Sequence, residues 1–250
     1  MVQIDQQDAL AKLVCGQVPQ GSSTLSQTLG HLSTTLTSLV RELPEPFGTR
    51  SEARPLFVPV LVRGILEVTC TALIARTDPF RILALREIQR SPSYTPDRRV
   101  ACAIQWQGDI VTDKASAWDP EMKPEKLARA LLGDHQDQVL WRPAFELFLD
   151  ALNERGALGR WSQELQGMAP ESFIPWVRGQ AQRIYTAASK GIHHESLLPF
   201  SAYNDESSIP VMIETLMKTV AALSVVANFC EHLSFPVPPD DALAIHEALQ

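Results

Sequence analysis

The stretch VPVLVRGILEVTCTALIA, residues 58–75, limits the possible folds more than any other part of the chain. At about 100° per residue its apolar side chains point almost all round a helix, so it belongs in the middle of a bundle. One sector is strongly polar, with Arg63 and Glu67 one turn apart and Cys70 nearby. Two buried charges are costly unless they pair and find further hydrogen bonds. The pair therefore has two readings. It is either an internal Arg–Glu bridge that fixes the register of the bundle, or the lining of a polar pocket inside it.

Helical periodicity extends to the rest of the chain. Leu25, Leu29, Leu32, Leu36, Leu39, Val40 and Leu43 recur at threes and fours, with Ser22 to Thr24 as N-caps and Pro44 and Pro46 as stops. Asp78-Pro79 ends the central helix and starts another, to Gln89. Further helices are expected over 98–111, near 125–132, over 141–154, from Glu171 to about Gly191 and from Ser207 to Leu233. Pro236, Pro238 and Pro239 then read as a stiff linker to a short terminal helix, Asp240 to Leu249. No stretch alternates strictly. The expectation is an all-α protein, one enlarged helical bundle over 1–235 with an insertion at 91–125, followed by a Pro-rich linker and short helix at 236–250.

Composition narrows the function classes. With 22 Lys+Arg against 29 Asp+Glu the net charge is −7, which disfavours coating nucleic acid by phosphate neutralisation over the whole surface. The four cysteines are scattered among apolar neighbours, as buried thiols of a reducing compartment would be. Residues 1–7 lack the layout of a signal peptide, and the apolar run 211–229 is broken by Glu214, Lys218 and Asn228. A cytoplasmic protein without membrane spans is expected. The five tryptophans read as core or interface anchors, and the arginines at 81, 86, 90, 98 and 99 as a solvated helix face interleaved with Glu87 and Asp97.

Phosphate-loop, dinucleotide, nucleophile-elbow and HExxH patterns are absent. The adjacent His193 and His194 diverge by about 100° on a helix and do not share one metal ion; no metal and no cofactor is expected. What remains is RIYTAASKGIHHE, residues 183–195. Tyr185, Ser189 and His193 recur every four residues, stacking phenol, hydroxyl and imidazole on one face. Lys190 and His194 lie toward solvent. One reading is a histidine satisfied by the serine one turn earlier. The other is phosphoryl chemistry, since an imidazole can move a proton from a ribose 2′-OH while a cation steadies the phosphorane.

Together, LVRGILEVTCTALIARTDPFR and the Y-x-x-x-S-x-x-x-H run from Tyr185 through Ser189 to His193 resemble segments of the HEPN superfamily, helical-bundle domains of bacterial toxins and antiphage defence proteins. The match covers about a third of the chain. The resemblance implies an up-and-down bundle that often dimerises, and in active members a metal-independent ribonuclease site shared between two copies. Carried over by position, His193 would be the acid/base, supported by Arg63, Glu67, Ser189 and Tyr185, with Lys190 and His194 on the phosphate. Active members carry Arg, four to six residues, then His. Here those positions hold Thr186, Ala187 and Ala188 before His193, or Ala187, Ala188 and Ser189 before His194, so the cation must come from elsewhere or cleavage is lost. Two functions are therefore expected: an RNA-directed effector of a defence or toxin–antitoxin system, possible homodimer and ribonuclease; or an inactive helical module that binds a partner protein or a nucleotide.

Overall fold

The computed structural model describes residues 6–19, 21, 23–43, 54–90, 92, 131–132, 136–156, 159–192 and 207–250. Apart from Pro92, the expected insertion at 91–125 lies outside them, as does the helix expected over 98–111. Within the described residues the protein is all-α, a bundle of packed helices without strands. In chain order these are α1 (Gln6–Cys15), α2 (Thr24–Glu42), α3 (Arg54–Thr77), α4 (Pro79–Arg90), α5 (Arg142–Arg155), α6 (Arg160–Gln166), α7 (Phe173–Ile192), α8 (Ser208–Ala227) and α9 (Pro239–Ala248). A π-helical turn, Asp137–Trp141, leads into α5, and a 3-10 turn, Pro170–Ser172, into α7.

α3 occupies the centre, packed on α1, α2, α4, α7 and α8. From Thr69 to Arg76 it is enclosed on nearly every side: Thr69, Cys70, Ala72, Leu73, Ile74, Ala75 and Arg76 are all buried. Its first turns are looser, and Phe57 and Val60 are exposed. α8 is the second core helix, buried continuously from Thr219 to Ala227. Residues 57–77 and 208–227 are both long and apolar enough to cross a membrane, and in the bundle more than half of each is covered by other helices.

Local chemistry explains the boundaries. Ser23 caps α2, its hydroxyl accepting from Ser26 N at 3.1 Å. The outer threonines and Ser38 of α2 return their hydroxyls to carbonyls four residues back. Leu29, Leu36 and Val40 form its buried stripe. α8 stops at Ala227, short of the expected Leu233, because the Asn228 side chain turns back onto Ser224 O at 2.8 Å and onto Leu13 O at 3.0 Å. The chain then reverses through Phe235, whose φ is 53°. α9 folds onto α1 and α8 and buries Ala242, Leu243, Ile245, His246 and Leu249 in the common core.

Candidate functional site

Among the described residues the most extensive helix–helix contact is the seam between α3 and α7, and it brings together three of the residues singled out above. Arg63 Nε donates to Glu67 Oε1 at 2.8 Å, one turn along α3, and its guanidinium carbon lies 4.7 Å from the centre of the Tyr185 ring on α7. Carboxylate and aromatic face thus hold the same cation from two helices. The bond to Glu67 is the main reason the Arg63 charge is held more firmly than usual. At Gly64, next to Arg63, a Cβ would stand 3.4 Å from the Leu39 side chain on α2, an ordinary packing contact.

The setting differs from both readings of the pair. The Arg63 and Glu67 side chains keep 27% and 40% of their surface exposed, so this is neither a buried bridge nor an internal pocket. It sits at the rim of the bundle, where water still reaches the guanidinium. Cys70, one turn further on, is fully enclosed. Burial, and then the Glu67 charge, push its thiol up to about 12, so it stays protonated and unreactive. Ser189 lies one turn beyond Tyr185, and its Oγ is buried with no hydrogen-bond partner among the described residues. His193 and His194, and the side chain of Lys190, are outside the described residues, so the imidazole expected to act as acid/base has no geometry here.

Other expectations resolve individually. Arg86 is a tie between helices, donating to Thr24 O at 2.9 Å, and Arg90 pairs with Glu87 at 3.6 Å. Trp141 is wholly buried, with Nε1 donating to Leu131 O at 2.6 Å, and Trp161 is buried beside His246. Trp176 packs on the core with Lys218 5.7 Å from its ring. Among the described residues no three His, Cys, Asp or Glu converge as a metal site would require.

Two polar clusters were not singled out in the sequence. One surrounds Arg76, a fully buried guanidinium with no carboxylate bonded to it among the described residues. Nε donates to Ser234 O (3.0 Å), Nη1 to Leu13 O (3.2 Å) and Val14 O (2.9 Å), Nη2 to Asn228 Oδ1 (2.7 Å) and Phe235 O (3.1 Å). Five donors meet five neutral acceptors. Burial lowers its pKa to about 10, which leaves it charged at neutral pH. The second cluster joins α6 to α9 through Ser162, His246 and Glu247. Ser162 Oγ donates to Glu247 Oε1 at 2.6 Å and lies 3.1 Å from His246 Nδ1. The residue types are those of a hydrolytic triad, but Ser162 and His246 are sealed from solvent and the carboxylate bonds the serine instead of the imidazole. It is a structural network. No family model, no curated protein and no solved structure matches the chain.

Proposed function

We propose that this protein is an RNA-directed effector of the bacterial defence or toxin type, acting at the α3–α7 seam. The observation that carries the reading is the Arg63 guanidinium lying over Tyr185. In this reading Arg63, partly exposed on the facing helix and bonded to Glu67, stands in for the Arg that α7 lacks ahead of His193. In this reading Nε is committed to Glu67 and the outer nitrogens take a phosphate oxygen. Tyr185 offers a phenol beside it. His193 is the proton-transfer group, drawing the proton from a ribose 2′-OH as its oxygen attacks phosphorus and the 5′-oxygen leaves. At −7 the chain contacts RNA locally, over a few phosphates.

The test combines binding and cleavage. Labelled single-stranded RNA should bind the wild type with a shallow salt dependence, and Arg63→Ala should weaken binding about tenfold, a lost charge-assisted contact of roughly 1.5 kcal/mol. Total RNA incubated in chelator should be cut by the wild type and spared by a folded His193→Ala. Equal RNA affinity in wild type and Arg63→Ala would remove the seam from consideration.

A second reading is supported by a different observation. Phe57 and Val60 are exposed at 63% and 52% on the same helix, ahead of an Arg63–Glu67 pair that is neutral as a unit. Such a surface suits a partner protein better than a polyanion. There, Phe57→Ser would abolish capture of the partner and Arg63→Ala would leave RNA affinity untouched.

A further inference from the structure

The helix α6 begins at Gly159 without a side-chain cap of its own. The missing partners come from the far end of the chain. Glu247 Oε2 accepts from Gly159 N at 2.7 Å and Gln250 Oε1 from Trp161 N at 2.8 Å. Ser162, in the first turn, bonds Glu247 and His246. Arg155 at the end of α5 adds a bond to Asp240 O at 3.2 Å. α9 is therefore held by two means: an apolar face against α1 and α8, and a polar clasp onto the start of α6.

The clasp determines the state of the imidazole. Ser162 has one hydroxyl proton and gives it to Glu247, so its oxygen accepts from His246 Nδ1–H. Nε2 is then the unprotonated nitrogen, and it is buried with no hydrogen-bond partner among the described residues. A proton arriving there creates a cation whose new Nε2–H has no acceptor among the described residues, inside a site closed to solvent and lined by the Trp161 ring, 6.2 Å away centre to centre.

We propose that His246 makes α9 an acid-released latch: protonation of Nε2 undocks the C-terminal helix from α6, α1 and α8 while the rest of the bundle stays folded. The surroundings give the cation little relief. Glu247 on α9 is the one charged group acting on the imidazole among the described residues, and its carboxylate is already occupied by Gly159 and Ser162. On α6, Arg160 and Glu164 are engaged outward with Glu214 and Lys218 of α8. Asp8 of α1 and Asp240 and Asp241 of α9 are exposed, as is Lys12 of α1. Burial accordingly pushes the docked imidazole down to about 4, whereas a released one titrates near 6.5. Between those values each pH unit favours the released state up to tenfold, reaching roughly 300-fold once pH is well below both.

Hydrogen exchange followed by mass spectrometry on the full chain, corrected for intrinsic exchange rates, tests this. Protection of the amides of residues 239–250 should fall about tenfold per pH unit from 6.5 to 4, while the amides of α3, α7 and α8 keep theirs. His246→Phe and His246→Gln cannot titrate; in whichever folds, protection of α9 should stay flat over the same range. The latch is overturned if α9 shows no acid-dependent loss, if it opens only together with the core helices, or if the non-titrating variant opens at the same pH as the wild type.

Discussion

Two arginines of α3, thirteen positions apart in the sequence, show opposite ways of keeping a guanidinium in a helical bundle. Arg63, toward the looser end, keeps a quarter of its surface in water and is held by a carboxylate and a ring. Arg76, at the enclosed end, is sealed in, and among the described residues it hydrogen-bonds only uncharged oxygens. The carboxylate at the rim leaves the first arginine replaceable, because water can take over its role. The carbonyls of Leu13, Val14, Ser234 and Phe235 have no such substitute. Arg76 ties the end of α1, the end of α3 and the turn before α9 into one unit, and its positive charge faces the carbonyl end of α1, where a cation is favoured.

The largest effect should therefore come from Arg76. Arg76→Ala leaves several buried acceptors unpaired, each costing on the order of 1–3 kcal/mol before any relaxation, so a loss of about 4 kcal/mol in urea unfolding is expected. An apolar residue of equal volume gives no relief, since the backbone carbonyls cannot be removed with it. Arg76→Lys, with three donors for five acceptors, should recover about half. A loss below 1 kcal/mol for Arg76→Ala would mean that water can enter the cage, and the contrast with Arg63 would collapse.

Next comes acid. His246 is neutral in the folded protein with a pKa near 4, and the unfolded chain binds its proton near 6.5. Above pH 6.5 both states are neutral and stability is independent of this group. As pH falls toward 4 the unfolded or released state takes up the proton alone, and about 3 kcal/mol is lost. Unfolding at pH 7 and pH 4.5, compared with a non-titrating variant at 246, isolates the contribution of this imidazole.

Gly16 sharpens the comparison at a smaller scale. Its φ is 84°, and a Cβ there would stand 2.1 Å from Phe235 O and 3.0 Å from the Arg76 guanidinium. Gly16→Ala should cost about 2 kcal/mol through the left-handed backbone and the displaced carbonyl. Gly30, with nothing within 4 Å of a built Cβ, should accept alanine without penalty. Both are read by the same thermal or urea unfolding.

The two ends of α3 were not equally legible in the sequence. An apolar helix broken by Arg and Glu at a spacing of four announces itself, because periodicity exposes a polar residue set in an apolar sector. Its central position followed for the same reason. Arg76 gives no such signal: a basic residue in the last turn of a helix before Asp-Pro reads as an ordinary favourable end charge. Its partners are backbone carbonyls, identical in every sequence, and Asn228 lies 152 residues away. His246 was hidden likewise, its role depending on Ser162, 84 positions earlier. The seam fared better because Tyr185 and Arg63 each stood out on its own helix. Periodicity could not tell, however, that the pair would sit at the rim and not inside, since exposure depends on how far the neighbouring helices reach.

A small stability effect and the most informative functional one belong to Arg63. Partly exposed, Arg63 should lose less than about 1 kcal/mol of folding stability on change to Ala, the sum of a partly screened ion pair and a cation–ring contact. A double-mutant cycle with Tyr185→Leu isolates the second contribution, with a coupling of about 0.5–1 kcal/mol expected. Glu67→Gln removes the carboxylate charge but keeps an acceptor for Nε. It should therefore preserve the orientation of the guanidinium while leaving its charge unbalanced. If the seam takes a phosphate, Glu67→Gln binds RNA at least as tightly as the wild type, and Arg63→Ala binds it about tenfold more weakly at unchanged fold. If the pair merely joins α3 to α7, both variants move unfolding slightly and RNA affinity not at all. Arg76 cannot make this distinction, because any change large enough to alter a ligand there also disturbs the bundle.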